Sequence, residues 1–285
     1  MKYIYITNRQ EIAAIAQGAG VDRICVDMEY IGKAQRQNGM NTALNRHSFG
    51  DVASIRRVID RSELLVRVNP IHDTQEDGYP ASEEEIDRVI AAGADIVMLP
   101  YYKTEAEASR FLEAVNGRAK TVLLLETAEA AKMIDTAGVT NAADEIHIGL
   151  NDLSLSYHER FLFEPMSDGT VERICEKLRR HEITYGIGGI ASPGRGLVPA
   201  EIVLREHYRL GSSGAILSRS FCNIHAVADL SAIEKLFSRA MRGLRALEAE
   251  CACHLREQGP GGRYFTENRE ALALAVRQVL SKTDR

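Results

Sequence analysis

The chain has 285 residues, 45% hydrophobic and 26% charged, enough apolar material for one large core or two small ones. Its 35 Lys and Arg against 40 Asp and Glu leave a net charge of -5 with no long basic run, which argues against nucleic acid or an anionic membrane as the main partner. The five cysteines (Cys25, Cys175, Cys222, Cys251 and Cys253) are scattered and form no CxxC pair, so neither a disulfide framework nor a structural zinc site is indicated.

The start, MKYIYITNRQE, meets charge too early for a secretory signal, and no apolar run is long enough to span a bilayer. Reduced thiols in a cytoplasm are the expected setting. Short apolar, β-branched runs then recur along the chain: 3–6, 23–28, 63–68, 94–99, 120–125, 144–149, 183–188 and 214–218. Between them lie stretches of helical period. SEEEIDRVIAAG (82–93) opens on a serine cap with glutamates in its first turn, and TEAEASRFLEAV, TAEAAKMIDTAG and DGTVERICEKLRRH follow.

Strand and helix alternating eight times, with strands too apolar to have a wet face, predict an α/β fold: a parallel sheet closed into a (β/α)8 TIM barrel over residues 1–225. An open, doubly wound sheet is the alternative, but the first βα turn, TNRQE, lacks a dinucleotide-type glycine fingerprint. Residues 226–285 predict extra C-terminal helices around the loop QGPGGRYF. That extension exceeds what one barrel needs and is expected to pack between subunits of a homo-oligomer.

In such a barrel the chemistry belongs at the carboxyl ends of the strands. Strand two ends in Asp27, Met28, Glu29 and Tyr30, strand three in Arg67, Val68, Asn69 and Pro70, strand five in Glu126, and strand six in GLNDLS with Asp152. Four acids and one arginine thus share a rim. Carboxylates crowded into a cleft repel one another unless a cation or shared protons compensate. A hard divalent ion, Mg²⁺ or Mn²⁺, does so with one or two carboxylates, and Glu126 and Asp152 on adjacent strands are the chosen pair. The blander alternative is that each acid caps the helix that follows it.

The succession VDMEY, LLVRVNP, ADIVMLPYY, LLLETAEA and HIGLNDLS resembles the HpcH/HpaI aldolase and citrate lyase family, metal-dependent barrels that make or break carbon–carbon bonds through the enolate of pyruvate or an acyl-CoA. The resemblance implies that Glu126 and Asp152 are the metal ligands. It implies that Arg67 contacts the substrate, and Asp27 and Glu29 beside it are the further catalytic candidates. The amides of Gly149, Leu150, Asn151 and Asp152 would hold the substrate carboxylate. The chain departs from the family pattern in two places: Tyr30 stands where the aldolase branch has a histidine, and Leu124 stands where it has a glutamine. The general base is therefore open among metal-bound hydroxide, a water held by Asp27 and Glu29, and His47.

Residues 31–51, rich in Lys, Arg, Asn and His, read as a lid or as a solvated loop. The segments 186–196 and 212–221 occupy the place where many barrels bind phosphate, although glycines there also serve tight turns. His147 reads as a hydrogen-bonded core residue, and His72 has no assigned role. The expected activity is a class II aldolase-like lyase acting on a 2-oxo acid and an aldehyde. The alternatives are a malyl- or citryl-CoA-type lyase and a catalytically silent barrel that binds a carboxylated sugar or senses a metabolite.

Overall fold

All eight apolar runs become strands. The computed structural model of the protein describes residues 1–36, 47–136, 138–218, 221–222 and 229–283. The strands are β1 (Lys2–Ile6), β2 (Arg23–Asp27), β3 (Glu63–Arg67), β4 (Ile96–Leu99), β5 (Lys120–Leu125), β6 (Glu145–Ile148), β7 (Tyr185–Ile190) and β8 (Gly214–Leu217). They close in sequence order, every neighbour parallel, with β8 pairing β1. The (β/α)8 expectation holds, and the open-sheet alternative falls.

Helices cover the outside. In chain order they are α1 (Gln10–Gly18), α2 (Lys33–Arg36), α3 (Phe49–Arg56), α4 (Ser82–Ala91), α5 (Glu105–Val115), α6 (Ala128–Met133) and α7 (Gly138–Ala142). There follow α8 (Leu150–Ser156), α9 (Glu164–Ser167), α10 (Thr170–Arg180), α11 (Ala200–Leu210), α12 (Leu230–Gln258) and α13 (Arg263–Thr283). Capping boxes start two of them: Ser48 with Asp51 opens α3, and Thr104 with Glu107 opens α5. Helix α4 corrects the sequence reading by one residue. Its cap position is Ala81, and the Ser82 hydroxyl instead accepts the amide of His72 at 2.9 Å.

Side chains alternate across each strand, so the strand sequences split into two cores. Ile4, Cys25, Leu65, Ile96, Met98, Val122 and Leu124 pack together inside the barrel. Ile24, Val26, Leu64, Val66, Leu123 and Leu125 face outward into the helix layer. The same alternation carries inward the residue two beyond each interior one. Asp27 follows Cys25, Arg67 follows Leu65 and Glu126 follows Leu124, so an apolar interior ends at its carboxyl rim in charge.

The C-terminal extension packs on its own barrel. Helix α12 buries a stripe of Ile233, Phe237, Met241, Leu244 and Cys251, spaced three, four or seven residues apart, against α1 and α11. Phe237 meets Tyr5 of β1 edge-on at 4.9 Å. Helix α13 lies on α11 and α9, and the Asn268 amide donates to the carbonyl of Ile202 at 3.1 Å. The tail is long because it covers the barrel wall where β8 returns to β1. Among the described residues no helix is long and apolar enough to cross a membrane.

Candidate active site

Glu126 answers first to a question of capping. The cap of α6 is Thr127, whose hydroxyl accepts the Ala130 amide at 3.1 Å, so Glu126 is released from that duty. One of its oxygens, Oε1, accepts the amide of Tyr101 at 2.9 Å. The other lies against Gly149, where a β-carbon would come within 2.8 Å of Oε2 and 3.2 Å of Leu124 Cδ1, so only glycine fits beside this carboxylate. Tyr101 holds φ at 50°, a left-handed conformation that costs a non-glycine residue about 1 kcal/mol or more. That strain aims its amide into the site.

Asp152 stands in the first turn of α8, directly after β6, and is buried. Glu126 sits well above the ordinary carboxylate range: burial comes first, then the charges of Asp152 and Glu29, and the opposing pull of Arg67 and Arg36 does not offset them. Leu124, two residues before Glu126, belongs to the apolar interior of the barrel. The two acids chosen from the sequence are therefore close enough to repel each other in a nearly dry place.

Arg67 is brought to the rim as expected, but it is not alone there. Its guanidinium grips Asp27 with two hydrogen bonds, Nε to Oδ1 at 2.7 Å and Nη2 to Oδ2 at 2.6 Å, and approaches Glu29 Oε2 at 3.4 Å. Burial works against its charge, yet Asp27 and Glu29 hold its proton even more firmly than usual. Two further cations, not singled out in the sequence, come from α2. Lys33 Nζ bridges Asp27 Oδ2 at 3.1 Å and Glu29 Oε2 at 3.0 Å, and Arg36 bonds Glu29 while its Nε stands 3.8 Å from Asp152 Oδ1. The signal was present: Lys33 lies four residues after Glu29, and Arg36 three after Lys33, on one face of a helical turn.

Asn69 is another residue the sequence reading passed over. Its Oδ1 accepts the amides of Tyr30 and Ile31 at 2.9 and 3.0 Å, which fixes the chain where it leaves β2. Asn69 is held in turn by Glu85, a fully buried carboxylate on α4 that also accepts from Tyr79 at 2.9 Å. Burial raises Glu85 above its ordinary range despite those hydrogen bonds. The Tyr30 ring meets Tyr79 edge-on at 5.3 Å. His72 acquires a structural role, its ring nitrogens lying 2.7 Å from the Pro70 carbonyl and 2.9 Å from that of Pro80.

Several expected site residues fall into narrower roles. The Gly149 amide is spent on the Leu125 carbonyl at 2.9 Å and cannot hold a substrate carboxylate. The amides of Leu150 and Asn151 open α8, where no earlier turn of the helix supplies an acceptor. His47 Nδ1 accepts the backbone amide of Asp27 at 3.0 Å, which occupies the nitrogen that would serve as a base, and burial lowers its affinity for a proton. His147 is buried in β6, as read, but its Nε2 finds no hydrogen-bond partner among the described residues, and burial pushes it down to about 4. The lid segment 31–51 lies outside the described residues at 37–46, as do Arg219 and Ser220 of the proposed phosphate region.

The donor set can be tested against a metal. Among the described residues no three His, Cys, Asp or Glu side chains are grouped to hold an ion. Glu126 and Asp152 offer hard oxygen donors in a place that needs positive charge. They fit Mg²⁺ or Mn²⁺ holding the rest of its shell as water and substrate. A surface depression of about 450 Å³ lined by Lys2, Gln17, Asp22, Arg61 and Glu63 lies at the other end of the barrel, away from this chemistry.

No protein-family model matches the sequence, and no curated protein matches it. Solved structures do match the fold. An HpcH/HpaI aldolase/citrate lyase family protein from Burkholderia cenocepacia J2315 aligns at 17% identity over 82% of this chain and 94% of its own, with a TM-score of 0.58. The HpcH/HpaI aldolase from Desulfitobacterium hafniense DCB-2 aligns at 14% identity over 82% and 93%, with a TM-score of 0.57. The citrate synthase SbnG aligns at 16% identity over 82% and 93%, with a TM-score of 0.57. The first two are structures of the family that the strand-end motifs resemble. At such identities the likeness speaks for the fold, and the chain shares the barrel of the HpcH/HpaI aldolase/citrate lyase structures.

Proposed function

We propose that the protein is a divalent-metal-dependent carbon–carbon lyase of the class II aldolase type, acting through the enolate of pyruvate or a related 2-oxo acid. The observation that carries this reading is the buried pair Glu126 and Asp152 at the carboxyl rim, with the Arg67 guanidinium beside it. The aldolase and citrate lyase barrels that share this fold support it. Mg²⁺ or Mn²⁺ held by Glu126 and Asp152 would supply positive charge at the keto oxygen of the substrate. Arg67, fixed by Asp27 and Glu29, adds a preorganised charge that need not reorient as negative charge develops. Asp27 and Glu29 serve the proton transfers by holding a water between them. The Leu150 and Asn151 amides donate to the substrate carboxylate. The aldehyde partner is not specified by these residues. The five free thiols fit a reducing cytoplasm, and exposed Leu236 and Leu274 on the outer helices fit a homo-oligomer.

A second reading has its own observation. Arg67, Lys33 and Arg36 are already paired with acids, which suits a barrel that binds a carboxylate without turning it over. Proton exchange separates the two. The lyase should exchange the methyl protons of pyruvate, or the adjacent protons of 2-oxobutyrate or oxaloacetate, with deuterated water in the presence of Mg²⁺ or Mn²⁺. Chelator should stop it. Exchange on acetyl-CoA alone would favour a thioester lyase, and no exchange on any of these with metal bound would leave the silent barrel.

A further inference from the structure

We propose that Arg36 is a built-in counter-cation: its guanidinium and the divalent ion compete for Asp152, so the charge at position 36 sets the metal affinity of the site. This rests on the metal reading above and extends it to a residue on the loop side of β2.

The geometry is specific. The Arg36 Cζ lies over the Tyr101 ring, 3.8 Å from its centroid, and Tyr101 is the residue whose amide fixes Glu126. From there Nη2 bonds Glu29 and Nε faces Asp152 Oδ1 at 3.8 Å. That distance is an ion pair and not a hydrogen bond, and Nε has no hydrogen-bond partner among the described residues. Arg36 thus places positive charge against one would-be metal ligand through its least committed nitrogen, while ring and Glu29 anchor the rest. A divalent ion between Glu126 and Asp152 would meet that charge within a few ångströms, where like charges exclude each other.

What yields is the Arg36 side chain. Lys33, one turn earlier, is buried and tied to both Asp27 and Glu29, so α2 itself is anchored. Arg36 also reaches the Ile31 carbonyl at 3.4 Å, Glu29 and the Tyr101 ring, so the pair with Asp152 is the longest of its polar contacts.

Calorimetric titration of the full chain with Mn²⁺ alone decides the matter. Arg36→Met and Arg36→Gln, two neutral replacements checked for folding by circular dichroism, should each bind Mn²⁺ at least about tenfold more tightly than wild type. Arg36→Lys, which restores the charge, should return the affinity to within about threefold of wild type. A residue that merely supported the fold would weaken binding when replaced, and lysine would not rescue it. Unchanged or weaker Mn²⁺ binding in both neutral variants overturns the competition while the metal reading stands. Absence of Mn²⁺ binding in wild type and neutral variants alike removes the metal reading, and this inference with it.

Discussion

The two ends of this barrel are built from the same kinds of residue and behave oppositely. At the amino-terminal end Arg23 points into the barrel, two residues before Cys25, and reaches Glu145 with two hydrogen bonds, Nη1 at 2.7 Å and Nη2 at 2.6 Å, and Glu63 with a third at 2.9 Å. Burial pushes Glu145 upward, but the hydrogen bonds and charge of Arg23, with help from Lys2, bring it below its ordinary value. Glu63 likewise ends lowered, burial being outweighed by Lys120 and Arg23. At the carboxyl end an acid of the same inward-facing type, Glu126, ends raised. The difference lies in what each acid touches among the described residues. Glu145 and Glu63 each bond a cation directly, whereas the Glu126 carboxylate accepts the Tyr101 amide while Asp27 and Glu29 engage Arg67, Lys33 and Arg36. An end whose inward acids are bonded to cations holds the fold, and an end that leaves Glu126 raised suits a cation bound from outside.

The largest effect that would break this comparison is expected at Arg23. Arg23→Met leaves Glu145 without its buried partner and should cost about 3–5 kcal/mol in urea denaturation, with activity per folded molecule unchanged. If activity fell and stability held, the amino end would not be the structural one. Next comes Arg67→Ala, which should lower metal-dependent proton exchange about 10²–10³-fold by removing a fixed charge from the developing enolate. Its stability loss should be smaller than that of Arg23→Met, because Lys33 still faces Asp27.

The pH dependence of stability sharpens the contrast through its sign. Glu126, raised in the folded state, contributes stability that is full below its ordinary value of 4.5 and is lost as pH rises through its elevated one. Glu145, lowered in the folded state, contributes stability present above 4.5 and lost as pH falls through its depressed one. In the metal-free protein Glu126→Gln should therefore gain on wild type as the solution becomes more alkaline, and Glu145→Gln should fall behind it. Urea midpoints across pH check both, and parallel curves for the two variants would erase the distinction. The smallest effect is at Thr127. Thr127→Ala should cost about 1 kcal/mol through the lost cap of α6 while Mn²⁺ affinity stays unchanged. A loss of metal binding there would mean that Glu126 depends on the cap.

By itself the sequence determined the strands and the rim on which the acids meet. These are local matters: β-branched apolar runs and a residue period of two each act over a few neighbours. That is why KTVLLL became β5 over Lys120–Leu125 and why Glu126 was recognisable as its inward-facing continuation. Which charges would pair was another matter, since Arg23 and Glu145 are 122 residues apart and Arg67 and Asp27 are 40 apart, and each pair meets only once the barrel closes in register. The hydrogen-bonded set of Asn69, Glu85 and Tyr79 stayed unread for the same reason. Lys33 and Arg36 looked like solvated loop residues because nothing local says that a four-residue helix will fold back over the barrel mouth. Only the tertiary structure decided that they face four carboxylates, because the energy of an ion pair depends on distance and burial, and neither is written in the spacing of residues along the chain.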